Sequence, residues 1–153
     1  MNKTTIRFGD LVVVCDGCKA LILENRGNVE FPNLYMREVL EQDDPLTHEQ
    51  GTEAPGRVHQ SMGNARSAIE QTDWHRDAER QFLEALTREL DAELIRSPRK
   101  RLTFVAAPRA LGMLRQAYSP ALKQAIVAEI DKDWVKMPIK EIEKKLHRAR
   151  TII

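Results

Sequence analysis

The strongest local pattern in this sequence is a pair of β-rich runs, 11–15 (LVVVC) and 18–23 (CKALIL), joined by Asp16-Gly17. An Asp-Gly pair readily adopts the positive φ angles of a type I′ turn, whose twist matches that of two paired antiparallel strands. The pattern therefore predicts a β-hairpin. A third run, 34–40, follows a turn and is expected to extend the hairpin, so the chain should start with three antiparallel strands.

Helical periodicity dominates the second half of the chain. Asp73 is placed to cap a helix that runs to about Ile95, because Phe82, Leu86 and Leu90 recur at a spacing of four and form one apolar face. Further elements are predicted in the order strand 102–106, helix 108–118, strand 125–130 and helix 138–149. This order, βββ-α-β-α-β-α over 153 residues, predicts one α/β domain with a mixed sheet of roughly five strands and helices on both faces.

Residues 42–72 break this regular pattern. The stretch has few apolar residues and many turn formers, including Pro45, Gly51, Pro55 and Gly56. Loops of this length inside a compact domain are usually functional or disordered. We therefore expect the segment to be flexible or held by a partner.

Composition restricts the class of protein. Charged residues make up 31% of the chain and apolar residues 42%, values that exclude both a membrane bundle and a chain too polar to collapse. The first 15 residues contain no apolar run long enough for a signal peptide, and no run approaches a transmembrane length. We expect a cytoplasmic protein that does not associate with membranes.

The formal net charge of +1 conceals an uneven distribution. Residues 1–55 have a net charge of −5, and the remainder has +6. The basic excess is concentrated in a segment without acids, the basic strip, which consists of Arg96, Arg99, Lys100, Arg101, Arg109 and Arg115. These side chains form either a solvated loop and helix face or a contact for a polyanion, most plausibly RNA.

Cys15 and Cys18 have the spacing of a redox pair or half a zinc site, but two cysteines that flank a turn are more simply a cross-strand pair. His48, His59 and His75 are the candidates to complete a metal site. A two-metal nuclease needs several converging carboxylates, and the segment after 102–106 is Ala-Pro rather than acidic. We predict neither a metal nor another cofactor.

Three segments in order carry a resemblance to a known family: the hairpin sequence 12–17 (VVVCDG), 106–115 (AAPRALGMLR) and 129–138 (EIDKDWVKMP). Together they resemble the bacterial proteins called "protein required for attachment to host cells". That family is in turn similar to the middle domain of archaeo-eukaryotic peptide-chain release factors. The resemblance implies a ribonuclease H-like fold.

The resemblance also implies that the long loop contains recognition residues. Residues 55–61 (PGRVHQS) precede the long helix where a release factor carries Gly-Gly-Gln-Ser, so that Gln60 and Ser61 match by position. Val58 and His59 replace the two glycines, whose backbone conformations are barred to Val and His. The recognition residues implied are Arg57, His59, Gln60 and Ser61.

Three functions follow from these observations. The leading one is a non-enzymatic protein that contacts the ribosome or tRNA through the 55–64 loop and the 96–115 segment. The second is a protein-interaction or regulatory factor needed indirectly for attachment to host cells. The third is peptidyl-tRNA hydrolysis, for which Gln60 is the candidate catalytic residue.

Overall fold

The computed structural model describes the backbone of residues 5–42 and 64–151, and the side chains of 5–42 and 73–148. The strands are β1 (Leu11–Cys15), β2 (Lys19–Asn25), β3 (Leu34–Glu41), β4 (Leu102–Ala106) and β5 (Ile126–Ile130). The helices are α1 (Asn64–Arg96), α2 (Pro108–Ala117), α3 (Pro120–Ala125) and α4 (Ile139–Thr151).

The five strands form one sheet in the order β3-β2-β1-β4-β5. β2 is antiparallel to both of its neighbours, β1 and β3, whereas the pairs β1/β4 and β4/β5 are parallel. At the centre of the sheet, Val13 of β1 lies opposite Ile22 of β2 and Phe104 of β4. A single α/β domain with a mixed five-stranded sheet is therefore confirmed.

Helices cover both faces of the sheet because side chains in its central strands alternate between two apolar clusters. Val13 and Phe104 face α1, α2 and α3, where they pack with Leu86, Leu90 and Leu114 in the first cluster. The second cluster lies on the α4 face and consists of Ile6, Val12, Val14, Leu21, Leu23, Leu34, Val105, Trp134, Val135, Ile142 and Leu146. All five residues of β1 are buried, as expected for a central strand covered on both sides.

The hairpin forms as predicted, but its turn differs from the prediction. Cys15 pairs with Ala20, so the two central residues of the turn are Gly17 and Cys18. Gly9 is the one residue with a positive φ in the described part of the chain, so the type I′ prediction is wrong. The Asp16 carboxylate stabilises the turn that forms instead. Its Oδ1 accepts hydrogen bonds from the backbone N–H groups of Cys18 and Lys19, both at 2.8 Å.

Helix α1 is longer than predicted. It begins at Asn64, so residues 64–72 are helical and Asp73 lies inside the helix rather than at its cap. The sequence from 65 to 72 contains no Gly or Pro, and its alanines favour a helix. The prediction of a flexible loop over 42–72 is therefore wrong for residues 64–72, which belong to α1, and its residues 43–63 lie outside the described residues.

The short helix α3 was not predicted. Pro120 occupies its first position, and the Ser119 hydroxyl accepts a hydrogen bond from the N–H of Leu122 at 3.0 Å. The other predicted elements of the second half agree with the structure to within one or two residues.

A buried amide fixes the segment that precedes β1. Asn25, at the end of β2, is fully buried. Its Nδ2 donates to the carbonyl oxygens of Ile6 and Arg7 at 3.1 and 3.3 Å, and its Oδ1 accepts from the N–H groups of Gly27 and Asn33 at 2.9 Å each. Residues 6–10 are thereby held against the sheet, which positions the site described next.

Candidate nucleic-acid interface

The basic strip predicted from the sequence is not continuous in space. Arg96, Arg99, Lys100 and Arg101 lie in and around the connection that leads from α1 into the amino end of β4. Arg109 lies beyond the carboxyl end of the same strand, in the first turn of α2, and Arg115 lies in the last turn of that helix. The fold therefore groups four of the six residues and separates the other two from them.

The side chains at the far end of β4 and on α2 are paired with acids. Arg109 forms an ion pair with Glu79 of α1. Arg115 contacts Glu129 of β5 through two guanidinium nitrogens, Nη2 at 2.6 Å and Nε at 3.0 Å. These contacts join helices to one another or to the sheet, so both arginines have a structural explanation.

Within the group at the amino end of β4, three of the four residues are also paired. Arg96 Nη2 lies 2.8 Å from Glu93. Lys100 Nζ donates to the carbonyl oxygen of Gly9 at 2.8 Å and to Glu24 Oε2 at 3.0 Å. Arg101 Nη2 donates to the carbonyl oxygen of Thr5 at 3.0 Å.

Arg99 differs from these three. It is exposed, and no acidic partner for its side chain is found within residues 5–42 and 73–148. It lines a groove of about 500 Å³ together with residues of two segments, 8–10 and 97–100. A second groove, of about 380 Å³, adjoins the first, and Pro98, Arg99 and Lys100 line both. Arg99 is therefore an exposed cation that lines both depressions and has no acidic partner among the residues whose side chains the structure describes.

Asp10 supplies negative charge in the first groove, but that charge is shielded. Asp10 is only 5% exposed, its Oδ2 accepts a hydrogen bond from the N–H of Arg7 at 2.8 Å, and the same oxygen lies 3.2 Å from Arg101 Nε. Burial raises the pKa of the Asp10 carboxyl above its ordinary value, although the Arg7 N–H and the charges of Arg101, Arg7 and Lys100 oppose that rise. A ligand in the groove thus meets the cations before the carboxylate.

The charged residues that line the groove are Arg99, Lys100 and Asp10. Asp10 is paired with Arg101 and Lys100 is paired with Glu24, so Arg99 carries the positive charge that no described acid balances. Such a surface favours phosphate groups, which are the dominant source of affinity between proteins and nucleic acids.

Phe8, Gly9 and Arg7 were missed in the sequence analysis. They belong to the segment before β1, and that segment lies beside residues 97–100 only because β1 and β4 are neighbours in the sheet. The available signal was Phe8-Gly9-Asp10, an aromatic residue followed by a turn pair just before a strand. The predicted loop residues, Arg57, His59, Gln60 and Ser61, lie outside the described residues.

The cysteines are not the cross-strand pair expected from the sequence. Cys15 faces the first apolar cluster opposite Ala20, while Cys18 lies within the turn, and no disulfide joins the two. Burial raises the pKa of the Cys15 thiol to about 12, and the neighbouring Asp16 adds to the rise. Within the described part of the chain, no three His, Cys, Asp or Glu side chains are grouped so as to hold a metal ion.

The fold and the groove define an α/β protein with a mixed five-stranded sheet and a basic depression at the amino end of its central parallel strands. The family model described as "Protein required for attachment to host cells" matches residues 11–146, and the chain belongs to that family. No curated protein matches it. Among the described residues, no helix combines the length and the apolar character needed to cross a membrane.

Proposed function

We propose that this protein is a non-enzymatic cytoplasmic factor that contacts RNA of the ribosome or tRNA, and that it is related to the middle domain of release factors. The proposed ribonuclease H-like fold is supported by a mixed five-stranded sheet with helices on both faces. The family name refers to attachment to host cells and states no chemistry.

The observation that carries this proposal is the exposed cation Arg99 at the groove. Arg99 is exposed and has no acidic partner among the described residues, so its guanidinium is available for bidentate contact with a phosphate. Lys100 and Arg101 support the site differently, because they hold the backbone oxygens of Gly9 and Thr5. The interface we propose is therefore centred on Arg99 rather than on the whole segment 96–115.

The 55–64 loop is proposed as a second contact, on the basis of the position of Gln60 and Ser61 in the sequence. Contact without hydrolysis is favoured over peptidyl-tRNA cleavage, because Val58 and His59 stand where the motif has two glycines and cannot adopt the same backbone conformations.

Co-sedimentation with ribosomes tests the proposal. The protein should sediment with ribosomes at low salt and be released at raised salt, because phosphate contacts exchange with counterions. Arg99→Glu should abolish this binding. The matched control Arg88→Glu makes the same charge reversal at an exposed position on α1 and should leave binding unchanged.

Two results would contradict the proposal. Failure of the wild-type protein to sediment at low salt would exclude a ribosome contact and leave the protein-interaction or regulatory factor as the function to test. Equal losses in Arg99→Glu and Arg88→Glu would show that overall charge, and not the groove, determines binding.

A further inference from the structure

We propose that the groove between Phe8 and Arg99 binds one unpaired nucleotide of single-stranded RNA, with its base stacked on the Phe8 ring and its phosphate held by Arg99. This inference rests on the proposed RNA contact and adds to it the chemical class of the ligand. It also assigns a role to an aromatic residue that the core does not use.

Phe8 is presented to solvent by a rigid turn. Its side chain is 73% exposed, and the turn behind it contains Gly9, whose φ of 87° lies in the left-handed region that favours glycine. The turn is closed by hydrogen bonds from Asp10 N to Arg7 O (3.0 Å), Arg7 N to Asp10 Oδ2 (2.8 Å), Gly9 N to Asn25 O (2.7 Å) and Lys100 Nζ to Gly9 O (2.8 Å). The backbone that carries Phe8 is thus fixed before a ligand binds, which lowers the entropic cost of binding.

The groove has the size and the walls that one nucleotide requires. Its volume of about 500 Å³ falls within the range of pockets that hold small ligands. Phe8 and Arg99 both line the groove, and Arg99 has no acidic partner within residues 5–42 and 73–148. An aromatic face beside an exposed cation matches the two parts of a nucleotide, a base with a π-face and a charged phosphate.

Stacking of a base on Phe8 favours single-stranded RNA over duplex RNA. Inside a duplex, both faces of each base are covered by neighbouring bases, so an aromatic side chain stacks more readily on unpaired bases. The buried Asp10 does not oppose the phosphate strongly, because Arg101 Nε lies 3.2 Å from its carboxylate.

Fluorescence anisotropy with a labelled eight-nucleotide RNA of mixed sequence, single-stranded or annealed to its complement, tests the inference. The full-length protein should bind the single strand more tightly. Phe8→Ala should weaken that binding roughly 5- to 100-fold without changing its salt dependence, because stacking on one base is lost and no charge is removed. Phe8→Trp should retain the affinity of the wild type.

Two further variants distinguish the contribution of stacking from that of charge and from the effect of replacing any exposed phenylalanine. Arg99→Gln should weaken binding and lower the slope of log affinity against log salt by about 0.7, the value for one phosphate on a single strand. Phe31→Ala is the matched control, because Phe31 is 75% exposed and does not line the groove. This control should bind like the wild type.

The outcomes distinguish this inference from the function on which it rests. If Phe8→Ala binds like the wild type while Arg99→Gln is weakened, stacking is wrong and the RNA contact stands. Preference of the wild type for the duplex would also overturn the inference. If the wild type binds neither RNA, both proposals fail. Thermal melting of each variant, followed by circular dichroism, verifies that the exposed substitutions leave the fold intact.

Discussion

Arg99 and Lys100 are neighbours in sequence but have different roles. The Lys100 ammonium is bound to Glu24 and to the carbonyl oxygen of Gly9, so its charge is used to fix the turn beneath Phe8. Arg99 has no acidic partner among the described residues and faces two grooves. Because exposed and paired cations contribute differently to binding, single substitutions within 99–101 are more informative than a triple charge reversal.

Cys15 is predicted to be chemically inert in the folded protein. With its pKa raised to about 12, it holds about a thousandfold less thiolate at pH 8 than a cysteine of ordinary pKa. In a Cys18→Ser variant, Ellman's reagent should find no reactive thiol until urea unfolds the chain. The matched variant Cys15→Ala retains Cys18, which is partly exposed in the turn and should react without denaturant.

The same raised pKa has a consequence for stability. A thiol that is harder to ionise in the folded state than in the unfolded state stabilises the fold only while both states are protonated. The contribution of Cys15 should therefore be present below about pH 9 and decline as the pH rises toward 12. Rapid labelling of Cys15 in the native protein at pH 8 would contradict both expectations.

At the scale of elements, the β1–β2 hairpin shows that neighbouring side chains and helices determine the conformation of a turn. Asp16 and Gly17 predict a type I′ turn when read alone, yet the Asp16 carboxylate binds two N–H groups and Gly17 lies directly under helix α1. A Cβ atom at Gly17 would meet Glu79 Cγ at 2.5 Å and Glu79 Cβ at 2.9 Å. Glycine is needed here for the close approach of a helix, not for a positive φ.

Two glycine-to-alanine substitutions should therefore have opposite effects on stability. Gly17→Ala forces the turn and α1 apart and should lower the free energy of unfolding by about 1–3 kcal/mol. Gly112→Ala is the control, because nothing lies within 4 Å of the added Cβ and the residue is inside α2. It should raise the free energy of unfolding by about 0.5–1 kcal/mol. Urea denaturation measures both, and destabilisation of equal size in the two variants would refute the steric explanation.

The elements that were predicted correctly are those indicated by a pattern within one short stretch of the sequence. Alternating or continuous apolar runs identified all five strands, and the spacing of Phe82, Leu86 and Leu90 identified α1. Its start was misplaced because Asp73 is a good capping residue that the continuing helix simply includes. The short helix α3 was missed because six residues carry too little periodicity to be recognised.

The candidate site was predicted less completely, because it depends on contacts between distant segments. Arg99 and its neighbours were found from their clustering, whereas Phe8 lies 91 residues away from Arg99 in the sequence and joins the groove only through the pairing of β1 with β4. The acids that pair with Arg109 and Arg115 were also invisible, since Glu79 and Glu129 come from other elements.

At the scale of the whole molecule, the charge imbalance along the sequence does not map onto two regions in space. Residues 1–55 are acidic overall, yet residues 8–10 from this part line one groove with Arg99 and Lys100 from the basic part. The fold thus builds a positive site from both parts of the chain. Its charge could be calculated only once the order of the strands was known.

The two apolar clusters share one sheet, and we expect them to unfold together. Val12 and Val14 of β1 pack on the α4 face, while Val13 packs on the α1 face, so loss of either layer exposes the same strand. Trp134 is buried in the α4 cluster and reports on that layer once the exposed Trp74 is replaced by Phe. Circular dichroism at 222 nm reports mainly on α1, which has 33 residues against 13 in α4.

In the Trp74→Phe background, urea denaturation followed by fluorescence and by circular dichroism should therefore give one midpoint. Leu90→Ala in α1 and Leu146→Ala in α4 each remove a buried side chain and should cost about 2–5 kcal/mol. Because the sheet couples the layers, each substitution should lower both midpoints equally. A shift of the fluorescence midpoint alone in Leu146→Ala would mean that α4 detaches while the rest of the sheet and α1 remain folded.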